Sequence, residues 1–180
     1  MSDHAPTPPS SGPTPPATEG GKPAGGDGGG NEPPISINAQ YLKDLSFEAP
    51  AVPGVFAMMQ RTEPAIEVNI DVEARNMQGL LYEVMLRFRA RCKVGETVAF
   101  IVELDYGGLF TVRAPDEHLQ PILLIECPRI LFPFARYILA DATRDGGFPP
   151  LLVGPVDFVG MFHQRMARAQ AAAKAPQGKA

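Results

Sequence analysis

The chain of 180 residues has no tryptophan and only two cysteines, Cys92 and Cys127. Both cysteines lie in strand-like or apolar surroundings without C-x-x-C spacing. They read as two reduced, buried thiols of a cytosolic protein rather than as a disulfide or a metal site. No window of about 18 apolar residues occurs, so no spanning helix is expected. The first residues have neither a basic start nor an apolar run, so no signal peptide is read. Signs of catalysis are equally scarce. The central region holds two serines, Ser36 and Ser46, neither in a nucleophile elbow. His118 and His163 have no metal-ligand spacing, and no phosphate-cradling glycine loop is present. Glu67 and Asp71 fall on the polar side of an alternating run, where solvation explains them. No enzyme, cofactor or metal is expected.

From Ser2 to Pro34 there is no Val, Ile, Leu, Phe or Tyr, while nine of the 20 prolines and eight of the 18 glycines fall there. Such a segment cannot bury enough apolar surface to offset its ordering entropy, so residues 1–33 are expected to be a disordered, solubilising tail. Residues 167–180 form a second tail, rich in Ala and Lys and basic, expected to be a frayed extension of the last helix. Residues 34–166 remain as one domain. The chain carries a net charge of −4, which disfavours generic nucleic-acid binding.

Within the domain the first half alternates. Ile35 to Pro53 reads as a half-buried strand with Ile35, Ile37, Ala39, Tyr41, Leu45 and Phe47 on one face. Ser36, Asn38, Gln40, Asp44, Ser46 and Glu48 fall on the other. Ala65 to Glu73 sets Ile66, Val68, Ile70 and Val72 against Glu67, Asn69, Asp71 and Glu73. Leu81 to Lys93 sets Tyr82, Val84, Leu86, Phe88, Ala90 and Cys92 against Glu83, Met85, Arg87, Arg89, Arg91 and Lys93. Thr97 to Tyr106 sets Val98, Phe100, Val102, Leu104 and Tyr106 against Ala99, Ile101, Glu103 and Asp105. A bulge or kink is expected at Gly107-Gly108. Val94 to Glu96 suits a three-residue hairpin loop, which would set Arg87 opposite Glu103.

The second half has helical spacing over Asp116 to Glu126 and Ile130 to Arg144, interrupted by Pro121, Pro128 and Pro133, with Gly146-Gly147 ending the longer helix. An apolar crossover over Phe148 to Gly154 leads to a last helix opening at Pro155. Four strands followed by helices give an α+β domain, a four-stranded antiparallel sheet with helices packed on one face. One open sheet leaves two edges and a modest core, for which self-association is the simplest remedy.

Two features invite functional readings. The basic alternation Arg87, Arg89, Arg91, Lys93 suits nucleic acid, but no aromatic shares its face, and Glu103 and Asp105 on the next strand supply partners. The apolar runs Val55 to Met59, Ile130 to Phe134 and Phe148 to Val153 sit beside prolines in expected loops or kinks, where they are candidates for a binding surface or a subunit interface.

Three ordered blocks carry a resemblance: K-D-L-S-F-E-A-P from Lys43 to Pro50, C-P-R-I-L-F-P-F-A-R from Cys127 to Arg136, and F-P-P-L-L-V-G-P-V-D-F from Phe148 to Phe158. Over about residues 35–166 the chain resembles the SecB protein-export chaperones. The resemblance implies an ATP-independent chaperone of the bacterial cytoplasm that binds unfolded precursor proteins and hands them to the motor SecA. It also implies a homotetramer, a dimer of dimers, with no membrane insertion. An acidic docking patch for the zinc-bearing tail of SecA would match Asp44, Glu48, Ile101 and Glu103. The client groove is assigned to Phe47, Val68, Ile70, Phe134, Phe148, Leu151 and Phe158. The alternatives are a general holdase without an export role and a nucleic-acid-binding sheet. The long Pro/Gly tail, the R-T-E run before Pro64 and the basic C-terminal tail depart from the better-known members.

Overall fold

A computed structural model describes residues 33–174; the expected tail over residues 1–33 therefore lies almost wholly outside the described residues. Four long strands, β1 (Ile35–Glu48), β2 (Ala65–Gln78), β3 (Leu81–Val94) and β4 (Thr97–Val112), form one antiparallel sheet in the order β1-β4-β3-β2. A short helix α1 (Gly54–Met59) lies on the path from one sheet edge to the other. The strands β2, β3 and β4 then follow as a meander of hairpins. Helix α2 (Asp116–Pro121), a π-helical turn over Ile122–Glu126 and α3 (Cys127–Asp145) run on without a break, and α4 (Phe158–Lys174) closes the described chain. The expected fold class holds.

The core lies between the helices and the even-numbered row of β3. Leu86, Phe88, Leu104, Phe110, Leu131 and Leu139 are all fully buried. Phe88 faces Phe132 of α3, which meets Phe158 of α4. A second aromatic cluster joins Phe47, Phe56, Phe100 and Phe148. It explains why Val55 to Met59 is a packed helical turn and not the expected loop.

Several local expectations are corrected. The β3–β4 hairpin turns on two residues, Gly95 and Glu96, with Gly95 at a φ of +60° that favours glycine, so Val94 pairs with Thr97. A bulge after Lys93–Val98 adds one more residue of shift, and Cys92 meets Phe100. Arg87 therefore stands opposite Asp105, and Glu103 stands opposite Arg89. The outward face is as expected; the partner is not.

The pairing of β3 with β4 runs unbroken through Gly107 and Gly108, so no bulge lies there. The glycines make room instead. A Cβ on Gly107 would come within 2.8 Å of the Tyr41 ring, and one on Gly108 within 2.6 Å of the Phe110 ring.

In β1, irregularities after Ile37 and after Leu42 each insert a residue. Between them the alternation is inverted. Tyr41 pairs with Gly107 on the face away from the helices, and Gln40 turns inward to accept a hydrogen bond from the Tyr106 hydroxyl at 3.4 Å. The two shifts cancel, so from Asp44 onward the expected faces return.

The last helix begins at Phe158 rather than Pro155. The Asp157 carboxylate accepts from the Gly160 N–H at 2.9 Å and fixes the start. Ahead of it, Thr143 pins the crossover. Its hydroxyl donates to the Leu139 carbonyl at 3.0 Å and accepts from the Leu151 N–H at 2.8 Å.

Candidate functional site

The outward face of the sheet is a ladder of charges built by the strand register. Arg89 Nε meets Glu103 at 3.2 Å, and Arg87 bridges Asp105 at 3.2 Å and Glu73 at 2.8 Å. Further along, Glu83 accepts from the Tyr41 hydroxyl, lies 2.5 Å from Arg75 and 3.7 Å from Lys43. Two of the four cations in the basic alternation thus already hold carboxylates, so the stripe offers less free positive charge than its sequence suggests.

At the β1 side of this face the balance turns acidic. Glu48 stands directly opposite Ile101, Ser46 opposite Glu103, and Asp44 opposite Asp105. All four expected docking residues, Asp44, Glu48, Ile101 and Glu103, therefore share one patch on two neighbouring strands. Asp44 and Glu48 are exposed and make no ion pair among the described residues. Asp105 joins them opposite Asp44; its place on the outward face was legible from alternation, but its register was not.

Glu83 and Met85 depart from the solvated face that the alternation implied. They are 7% and 3% exposed. The inverted stretch of β1 lays the Tyr41 ring across Gly107 and Met85 and brings its hydroxyl to Glu83. Burial opposes the charge on Glu83, but the hydrogen bonds from Tyr41 and Arg75 and the nearby Lys43 outweigh it and hold the carboxyl below its usual value. Burial and the Glu83 carboxylate together push the Tyr41 phenol up to about 12.

The expected groove residues do not form one surface. Val68 and Ile70 lie on the helix side of edge strand β2, in a groove of about 560 Å³ that Leu124, Met161 and Phe162 complete. Val68 remains exposed there, and Ile66 is exposed on the same edge strand. Phe134 is half exposed on α3, stacked on Tyr106 with ring centroids 6.3 Å apart, and belongs to another region. Phe47 is half-buried in the second aromatic cluster. Phe148, Leu151 and Phe158 are buried within the core, where Thr143 and the neighbouring rings hold them. As placed, these three support the fold and do not line an open groove. Phe162 and Leu124 were missed. Phe162 lies four residues after Phe158, a helical spacing that does not distinguish a core face from a groove wall.

Both thiols are buried. Burial raises Cys92, while burial and the neighbouring Glu126 push Cys127 up to about 12, so neither is a thiolate near neutrality. Among the described residues no group of three or more His, Cys, Asp or Glu side chains is placed to hold a metal ion. No helix among them is long and apolar enough to cross a membrane.

Comparison with known proteins identifies the lineage. Residues 29–169 match the family model described as preprotein translocase subunit SecB. The chain is 49% identical over 152 residues to the protein-export protein SecB of Rhodospirillum rubrum, covering 84% of this chain and 94% of that protein. It is 50% identical over 147 residues to that of Granulibacter bethesdensis, covering 77% of this chain and 85% of that one. Among solved structures, a SecB-like chaperone of Mycobacterium tuberculosis, in complex with a peptide from an antitoxin, shares the fold. The TM-score is 0.57 at 13% identity, covering 68% of this chain and 90% of that one. Family match, relatives and sheet architecture agree, and the chain belongs to the SecB family of protein-export chaperones.

Proposed function

We propose that the protein holds precursor polypeptides unfolded in the bacterial cytoplasm, without ATP, and passes them to SecA, working as a dimer of dimers. One observation carries this reading. The two faces of one sheet offer two chemically different surfaces, an apolar groove on the helix side of β2 and an acidic patch on the outward face of β1 and β4. A holdase that hands over its client uses such a pair, because the motor can dock while the client stays bound. An extended client gains backbone hydrogen bonds at a sheet edge and apolar contacts beside it. Several weak grooves per assembly hold a long chain by avidity. Membership in the family supports the same function.

Charge reversal tests the separation. Asp44→Lys is the cleaner variant, because Asp44 makes no ion pair among the described residues, whereas Glu103→Lys also sets a cation against Arg89. Either change replaces attraction with repulsion toward a basic, zinc-bearing partner, and such juxtapositions can cost several kcal/mol. The expected result by calorimetry is weakened SecA binding, less so in high salt, with unchanged binding of an unfolded client. Unchanged SecA affinity in both variants removes the patch from the mechanism and leaves a general holdase as the reading. Equal loss of client binding shows that the surfaces are not separate.

A further inference from the structure

The outward row of β3 ends in two cations without carboxylate partners. Arg87 and Arg89 meet Asp105 and Glu103 across the strand pair. Arg91 and Lys93, next in the same row, make no ion pair among the described residues. Glu67 stands opposite Arg91 on β2 without pairing with it. On the β4 side their neighbours are apolar: Ile101 stands opposite Arg91, and Val98 opposite Lys93. Arg91 is exposed and Lys93 half-buried.

These two cations border the acidic patch. Residues directly opposite on neighbouring strands share a face, so Glu48, Ile101 and Arg91 form one row across β1, β4 and β3. Neighbouring strands lie about 5 Å apart, which sets Glu48 and Arg91 about 10 Å apart at the backbone, with Ile101 between them. The row runs anion, apolar, cation. Two rows along, Asp44 supplies the anion again, but the β3 position there is Arg87, which Asp105 and Glu73 already hold. The patch is therefore open to a carboxylate at one end only. A ligand of purely positive charge fits this arrangement badly. Its Lys and Arg side chains are drawn to Asp44 and Glu48 and repelled by Arg91 and Lys93, and such like-charge contacts lower affinity and slow association.

We propose that the segment docking on this patch is of mixed charge, basic over Asp44 and Glu48 and carrying an Asp or Glu that Arg91 and Lys93 hold, with an apolar residue over Ile101. The inference rests on the reading of this patch as the SecA dock and adds Arg91 and Lys93 as the residues that set the direction of the bound segment. A patch of one sign accepts a basic segment either way round. A cation pair at one end makes the reversed segment set like charges together, which rejects it. About three residues of extended chain span about 10 Å, so the carboxylate stands about three positions from a basic residue.

The test titrates cognate SecA by calorimetry into the full wild-type chain and into an Arg91→Gln, Lys93→Gln double variant, at low and high salt. The variant is expected to bind SecA roughly fivefold more weakly at low salt, with the difference shrinking as salt rises. Arg91→Gln alone, at a fully exposed position, should show the same sign at a smaller size. A docking segment of purely positive charge gives the opposite sign, since removing two cations relieves repulsion, so tighter or unchanged SecA binding in the variants overturns the inference. Circular dichroism, sedimentation and binding of an unfolded client are expected to match the wild type, because neither side chain holds an ion-pair partner in the fold. A changed oligomeric state would assign the two cations to contacts between copies and overturns the inference as well. Asp44→Lys, measured alongside, keeps the two readings apart. Weakened SecA binding in Asp44→Lys with none in the double variant leaves the dock standing and removes only this inference. Unchanged binding in Asp44→Lys removes the dock, and this inference with it.

Discussion

Glu83 shows how one side chain organises the outward face. It is a nearly buried carboxylate in a strand whose outward row runs on through Met85 to four cations, and it is stable there because Tyr41, Arg75 and Lys43 converge on it. A buried charge with partners costs little net free energy, while removing a partner leaves part of the desolvation penalty unanswered. Tyr41→Phe is therefore expected to lower stability by about 1–2 kcal/mol in urea denaturation. Glu83→Gln is expected to cost a similar amount, because Arg75 and Lys43 are exposed enough to be rehydrated. The pH profile separates the two groups. Glu83 is depressed, so its contribution is complete above about 4.5 and is lost as pH falls through its folded value. Tyr41 is raised, so its contribution is complete below 10.0 and is lost as pH rises through about 12. In Glu83→Gln the acid limb of the stability curve should flatten, and in Tyr41→Phe the alkaline limb. Identical limbs in the variants and the wild type would show that this cluster carries no linkage.

At the scale of elements, glycine and threonine positions decide how strands and helices meet. Gly108→Ala drives a methyl into Phe110 and Leu131, both fully buried, so about 1–3 kcal/mol of overpacking is expected. Thr143→Val keeps the volume but leaves the buried Leu151 N–H without its acceptor, an expected loss of about 1–3 kcal/mol that would loosen the crossover before α4. Denaturation midpoints check both, and a midpoint unmoved by Thr143→Val would mean that the crossover is not held by this bond. The inner rows of β2 and β3 were legible in the sequence because neither strand bulges across them. The two extra residues in β1 were not, since a lone Asn38 or Lys43 inside an alternating run does not mark a bulge. The acidic patch was legible all the same, because the two insertions cancel before Asp44 and parity is restored. The groove was legible only at Val68 and Ile70. Phe148 and Leu151 lie beside prolines and read as loop, yet the Thr143 anchor draws that loop into the core. Helix α1 and the π-helical turn are too short for a period to show. Prolines at 121 and 128 mark the turn's neighbourhood without specifying its five-residue winding.

For the whole molecule, the decisive surface is the one a single chain leaves uncovered. Along β1, Ile37, Leu42 and Leu45 pair with core residues of β4 yet stay 39–49% exposed. Leu42 stands opposite Tyr106, on which Phe134 stacks, and Tyr137 follows one turn later on α3 with 67% of its surface open. Large apolar side chains left open to water along an edge strand and a neighbouring helix suit an interaction surface, and an open edge of this length invites pairing. A dimer of dimers would cover it, consistent with the proposed function, in which several grooves on one assembly hold a long client. Sedimentation at micromolar concentration is therefore expected to report a tetramer. Phe134→Glu and Tyr137→Glu should shift it to smaller species while circular dichroism stays native, because both side chains lie outside the single-chain core. Client binding should weaken in these variants in proportion to client length, since long chains lose the second and third groove and short peptides do not. A wild type that sediments only as a monomer would leave the strip without its proposed cover. A tetramer indifferent to both substitutions would place the interface elsewhere on the sheet.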